Sequence, residues 1–281
     1  MPVHANGAQR ASSHRSRRLT IFVLMAALAV SLGAMATPQE TRAAGIKVVV
    51  VVGPAGSATA EYRSSAHTYA SIARSYGASV TEIYSPYATW ARVRPALQGA
   101  KLLIYLGHGN GWPSPYGPFQ RYTKDGLGLN ATYGGSNSNT KYWGEYYIDN
   151  YVQMAPNAVV ILNRLCYASG NSEWGAANPT KSTAIKRVDN YGAGFLRAGA
   201  KVVFAEAINS VSYQVRALFT SRMSMNSIFM AHPSASSARD FYFTSTRTSW
   251  ARAHMDPPRV SKYWRSVIGN LSLTASQWRG S

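Results

Sequence analysis

The chain is short of acids, of cysteine and, after residue 36, of apolar runs long enough to span a membrane, and each shortage excludes something. Of 281 residues, 11 are Asp or Glu against 29 Lys or Arg, a formal charge of +18. The surplus reflects missing acids rather than a basic cluster, because outside the N-terminus the arginines stand singly. Specific nucleic-acid binding needs a basic patch or a reading module, and neither is present. The charge reads instead as a solvated positive surface, with loose attraction to anionic cell-surface polymers as its extension. A single cysteine, Cys166, excludes an intramolecular disulfide framework and any metal site built on several thiolates. No HExxH, EF-hand loop or Gly-x-Ser-x-Gly elbow occurs, so no metal and no cofactor is expected. What the chain has in quantity is apolar (46%) and aromatic (12%) side chains, enough for a full core and too many for a disordered chain.

Residues 1–18 carry Arg10, Arg15, Arg17 and Arg18 and no acid, and an apolar run follows from Leu19 to Ala36, ending Ala34-Met35-Ala36. A basic head, an apolar middle and small residues at the cut are the layout of a secretory signal peptide. The expectation is a signal peptide over 1–36, a short leader over 37–44 and a secreted, extracellular or cell-surface protein. Four of the 18 net charges leave with the leader, so +14 remains from Thr37. The competing reading is an uncleaved anchor, since 18 apolar residues sit at the short edge of a spanning helix. Membrane association is expected only in that case.

From Gly45 short apolar runs alternate with amphipathic stretches. Strands are predicted at 46–52, 79–84, 101–106, 158–162 and 201–205, and helices at 60–76, 88–98, 192–198 and 213–231. That alternation means βαβ units, hence a three-layer α/β fold with a mostly parallel sheet flanked by helices. The domain is expected over 45–238, with a long aromatic-rich insertion at 107–157 and a C-terminal extension at 239–281 packed onto it through its tryptophans. Gly53-Pro54-Ala55-Gly56-Ser57 follows a strand but lacks the phosphate-loop endings, and reads as a tight turn. His67, His232 and His254 read as surface or capping residues.

In a parallel sheet, chemistry gathers beyond the carboxyl ends of the strands. The third predicted strand runs into Gly107-His108-Gly109-Asn110-Gly111, and the fourth into Asn163-Arg164-Leu165-Cys166. If these strands are neighbours, ~4.8 Å apart, His108 and Cys166 share one edge. Imidazole and thiolate are a working pair for acyl transfer. Gly109 allows close backbone approach to a carbonyl, and the Gly109 and Cys166 N–H groups are candidate oxyanion donors. Taken singly, a lone cysteine is more often a small buried hydrophobe.

An apolar strand ending in His108-Gly109, followed by one ending in Cys166, resembles the caspase-like (caspase–hemoglobinase) cysteine peptidases, which include gingipains, clostripain, legumains and CHAT-domain peptidases. The resemblance covers about residues 45–230. It departs where Leu165 precedes the cysteine, often Ala in the family, and where the next glycine is Gly170. It implies a caspase-like architecture and an endopeptidase that hydrolyses polypeptide substrates through a Cys166 thioester, with His108 as general acid/base. It also implies a specificity pocket near the next strand, whose last residue, Glu206, becomes a candidate to receive a basic side chain. The alternative for Glu206 is a carboxylate paired with an arginine. Asn110 and Trp112 complete the substrate-binding candidates. A non-catalytic secreted module on the same fold, binding glycan, cell-wall polymer or a protein, remains open beside the peptidase reading.

Overall fold

The computed structural model describes residues 45–280, which lie in one compact unit. The leader expected at 1–36 and residues 37–44 lie outside the described residues. Strand β1 (Lys47–Val52) shows how the sequence builds the core. Its five valines are all fully buried. Alternation along the strand sends Val49 and Val51 to one apolar cluster and Val48, Val50 and Val52 to the other. A run of β-branched residues, each worth roughly 1.5–3 kcal/mol when buried, is what a strand covered on both faces requires.

β2 (Ser79–Tyr84), β3 (Leu102–Leu106), β6 (Ala158–Asn163) and β7 (Ala200–Glu206) pair in parallel with β1 in the order β2-β1-β3-β6-β7. Helices α1 (Thr59–Ser75), α5 (Ser212–Thr220), α6 (Met225–Met230) and α7 (Ala275–Arg279) cover one face, while α2 (Trp90–Leu97), α3 (Glu145–Tyr151) and α4 (Lys181–Arg197) cover the other. The periodicity is plain in α1, where Ala66, Tyr69, Ala70 and Ala73 form the buried stripe. The chain is a mostly parallel sheet between two helical layers.

Several expectations need correction. The tail is no appended extension: β10 (Arg265–Gly269) pairs antiparallel with β7, and β9 (Arg252–Met255) and β8 (Phe241–Thr244) complete an eight-stranded sheet. Of the expected tryptophan anchors, Trp278 is fully buried and donates from Nε1 to the Lys101 carbonyl (3.1 Å), whereas Trp250 is exposed. The single helix expected over 213–231 is two. Ser221 bonds back to the Ala217 carbonyl (2.8 Å), and Ser224 caps the new helix through the Ser227 N–H (3.1 Å). The helix expected at 192–198 starts at Lys181, capped by Thr180, with Ala184, Val188, Tyr191 and Phe195 on its buried face. Gly192 hid it from view, yet a Cβ there would stand 2.7 Å from Ile268 Cγ2, so the glycine lets α4 settle on the sheet.

The insertion after β3 carries a two-stranded sheet, β4 (Leu127–Asn130) and β5 (Thr140–Trp143), followed by α3. His67 is exposed on α1, but His232 and His254 are buried. His254 stacks on its cross-strand neighbour Tyr242, and its ring nitrogens meet Asn226 Oδ1 (2.7 Å) and Asp240 Oδ2 (2.8 Å).

Candidate functional site

β3 and β6 are adjacent, parallel and in register, with Leu106 opposite Asn163. His108 and Cys166 therefore leave the same edge of the sheet, two and three residues past that pair. Both open onto one cleft of about 520 Å³, together with Gly109, Asn110, Lys124 and Glu173.

Each strand end is fastened before it turns. The Tyr105 hydroxyl donates to the Gly128 carbonyl (2.7 Å), accepts from the Gly128 N–H (3.0 Å) and lies 3.1 Å from the His108 carbonyl oxygen. It thereby ties the His108 loop to β4. At the end of β6, Asn163 Nδ2 donates to the carbonyls of Glu206 (2.9 Å) and Asn209 (2.8 Å), while its Oδ1 accepts from Tyr69 on α1 (3.1 Å). Arg164 and Tyr167 then adopt left-handed φ values of 67° and 71°. Such conformations cost about 1–3 kcal/mol each in non-glycine residues and persist only where surroundings enforce them. Arg187 on α4 supplies part of that enforcement. Its Nε donates to the Pro113 carbonyl (2.7 Å), its Nη1 to the Asn171 carbonyl (2.8 Å), and its guanidinium lies 4.7 Å from the Tyr167 ring centroid.

Among the described residues, neither the Gly109 nor the Cys166 N–H has a protein acceptor. Two unclaimed backbone donors beside a thiol are what a developing oxyanion needs. Burial pushes the Cys166 thiol above its ordinary pKa and the Glu173 charge adds to this, against the Trp174 N–H and the Arg187 charge. Partial desolvation lowers the His108 pKa, opposed by Glu173. At neutral pH the resting pair is therefore thiol and neutral imidazole.

Glu173 is the site residue that sequence reasoning missed. Tyr167 and Tyr116 both donate to it, the latter at 3.1 Å, so it joins the Cys166 loop to the His108 side of the cleft. Its signal was available: an acid seven residues past the cysteine in a chain with 11 acids. Arg187 and Lys124 gave no comparable sign.

The other substrate-binding candidates fare differently. Asn110 lines the cleft, but its amide is engaged, accepting from Lys124 Nζ (2.7 Å) and donating to the Thr123 carbonyl (2.9 Å). Trp112 does not line it, its N–H donating to Asp125 Oδ1 (2.9 Å) and its carbonyl accepting from Asn190 (2.9 Å). Glu206 is 1% exposed and stands directly across the strand pair from Arg265, whose Nε donates to both carboxylate oxygens (3.0 and 3.2 Å). Its other partners are Asn209 and Gln214. With every approach occupied, Glu206 has no face to offer a substrate, and the arginine-paired alternative is the arrangement found.

No cluster of three or more His, Cys, Asp or Glu suited to a metal ion occurs among the described residues. None of their helices is long and apolar enough to cross a membrane. No protein-family model matches the sequence, and no curated protein matches it significantly.

Proposed function

We propose that this protein is a secreted cysteine peptidase of caspase-like architecture, with Cys166 as nucleophile and His108 as general acid/base. The observation that carries the reading is the meeting of His108, Cys166 and two unpaired N–H groups in one cleft, beyond adjacent in-register strands. On attack, the Cys166 proton passes to His108 as Sγ bonds to the substrate carbonyl carbon, and the oxyanion meets the Gly109 and Cys166 N–H groups. Collapse breaks the C–N bond, and the leaving nitrogen takes the proton from His108. Water, activated by the now neutral imidazole, then releases the acid from the thioester and restores the thiol.

A peptide bearing an acyloxymethyl ketone reports the chemistry directly. Covalent labelling at Cys166, absent in Cys166→Ala and suppressed in His108→Ala, supports the reading. A folded protein whose hydrolysis survives Cys166→Ala overturns it.

The runner-up, a non-catalytic binding module, draws on one observation. Trp174 is 98% exposed on the loop that carries Glu173, and Tyr116 stands exposed on the cleft, both suited to stacking on a sugar. Under that reading soluble glycans quench Trp174 fluorescence while the thiol labels no faster than a free one.

A further inference from the structure

Lys124 brings a positive charge to the cleft with no opposite charge in contact. It is 4% exposed, and among the described residues no carboxylate oxygen lies within 4.0 Å of its ammonium. An ammonium has three donors. Two are spent on neutral acceptors, Asn110 Oδ1 (2.7 Å) and Ser114 Oγ (3.0 Å). The Tyr116 ring, 5.9 Å away, adds a weak cation–π contact. These contacts satisfy hydrogen bonds but do not compensate for removing a charge from water. Its sequence neighbour Asp125 makes no ion pair with it, and burial raises that carboxyl well above the ordinary carboxylate range, which disfavours its charged form. One donor is left, and the charge, offset only at longer range by Glu173, has no contact partner in a residue that lines the cleft.

Its side of the cleft follows from what holds it. Asn110 lies two residues past His108, and in the hydrolase reading His108 faces the departing nitrogen. Glu173, the opposing charge, belongs to the Cys166 loop and reaches toward Lys124 through Tyr116, but both its oxygens already accept from tyrosine hydroxyls and neither lies within 4.0 Å of the ammonium.

We propose that Lys124 binds a carboxylate on the leaving-group side of the cleft, so that preferred substrates release an amine bearing a negative charge. This rests on the hydrolase reading for its direction. The carboxylate belongs either to the C-terminus of the leaving residue or to an acidic side chain. A substrate carboxylate takes the third donor and neutralises the buried ammonium; a carboxamide can accept the hydrogen bond but cannot supply the opposite charge.

The test incubates the full chain with four peptide pools, randomised on the acyl side, whose last residue is Ala acid, Ala amide, Asp amide or Asn amide. Released amines are read by mass spectrometry. A preference of about tenfold or more for a carboxylate over its amide partner is expected. It should vanish in Lys124→Met and persist in Lys124→Arg, and the Ala and Asp pools separate the two sources of charge. Because Cys166 is the only cysteine, alkylation by iodoacetate relative to iodoacetamide supplies a second readout independent of hydrolysis. That ratio should drop about threefold or more in Lys124→Met. Lys124→Gln, which keeps a donor toward Asn110, substitutes if Lys124→Met does not fold. Equal cleavage of all four pools overturns the proposal. So does an absence of cleavage with an unmoved alkylation ratio. An absence of cleavage with a lowered ratio defeats the hydrolase reading and leaves the anion site standing.

Discussion

Gly109 and Cys166 meet backbone to backbone: a Cβ on Gly109 would stand 2.1 Å from the Cys166 carbonyl oxygen. The obstacle is main chain, so no rotamer change can relieve it. Gly109→Ala must push the cysteine loop away from the histidine loop. The expected cost is about 1–3 kcal/mol of stability, as for other overpacked sites. Thermal melting and the rate of Cys166 labelling by the ketone probe should both fall. Unchanged melting and labelling would mean that the two loops part without consequence.

The resting state of the pair gives a pH signature. With the thiol held above and the imidazole below their ordinary values, no thiolate–imidazolium ion pair is stored at neutral pH. Iodoacetamide reactivity should therefore rise in one step on the alkaline side of a free cysteine, about 8.5. Glu173→Gln removes a charge that raises the Cys166 pKa, so the step should move to lower pH. A plateau of high reactivity below pH 7, or a step that moves upward in Glu173→Gln, would contradict this assignment.

The Glu206 prediction concerns the fold rather than the substrate. Arg265 joins two fully buried carboxylates, Glu206 and Asp256, and its Nη2 also donates to the Phe229 carbonyl. Removing the shared cation strands both acids. Arg265→Met should cost about 3–5 kcal/mol, visible in urea unfolding. Glu206→Gln should lower stability while leaving the ratio of activity on basic and neutral peptides unchanged. A selective loss on basic peptides would return Glu206 to the specificity pocket.

What could be read in advance divides along the range of the interactions involved. β1, β3, β6 and β7 announced themselves because strands buried on both faces are written as unbroken apolar runs. His108 and Cys166 were legible because the ends of those runs place them. Strands β8 to β10 were not, being four or five residues long and containing Arg252, His254 and Arg265. Arg252 is exposed, but His254 and Arg265 are buried because partners outside their own strands satisfy them: Asp240 and Asn226 for His254, Glu206 and Asp256 for Arg265. No local pattern carries that information. The same holds for Lys124, whose burial depends on Asn110 fourteen residues earlier.

Asp125 supplies the last prediction, and its sign can be worked out. The residue is fully buried, its Oδ1 accepts from the Trp112 N–H (2.9 Å), and its Oδ2 has no partner. Burial, with the Glu145 charge adding, raises its pKa well above the ordinary carboxylate value, against Arg247 and Lys124. The native carboxyl thus keeps its proton at pH values where the unfolded chain, with a pKa of about 3.9, has lost it. Between those two values the unfolded state binds fewer protons, so this group's contribution to stability falls as pH rises. Asparagine keeps the acceptor for Trp112, cannot ionise, and tolerates the left-handed φ of 62° at this position. Asp125→Asn should therefore raise the melting temperature relative to the native chain, by a margin that grows as pH rises above about 4 and levels off once the native carboxyl ionises. Melting curves of both proteins across a pH series measure the margin directly. A margin that shrinks with rising pH would mean that the native carboxyl is ionised and that Arg247 and Lys124 outweigh its burial.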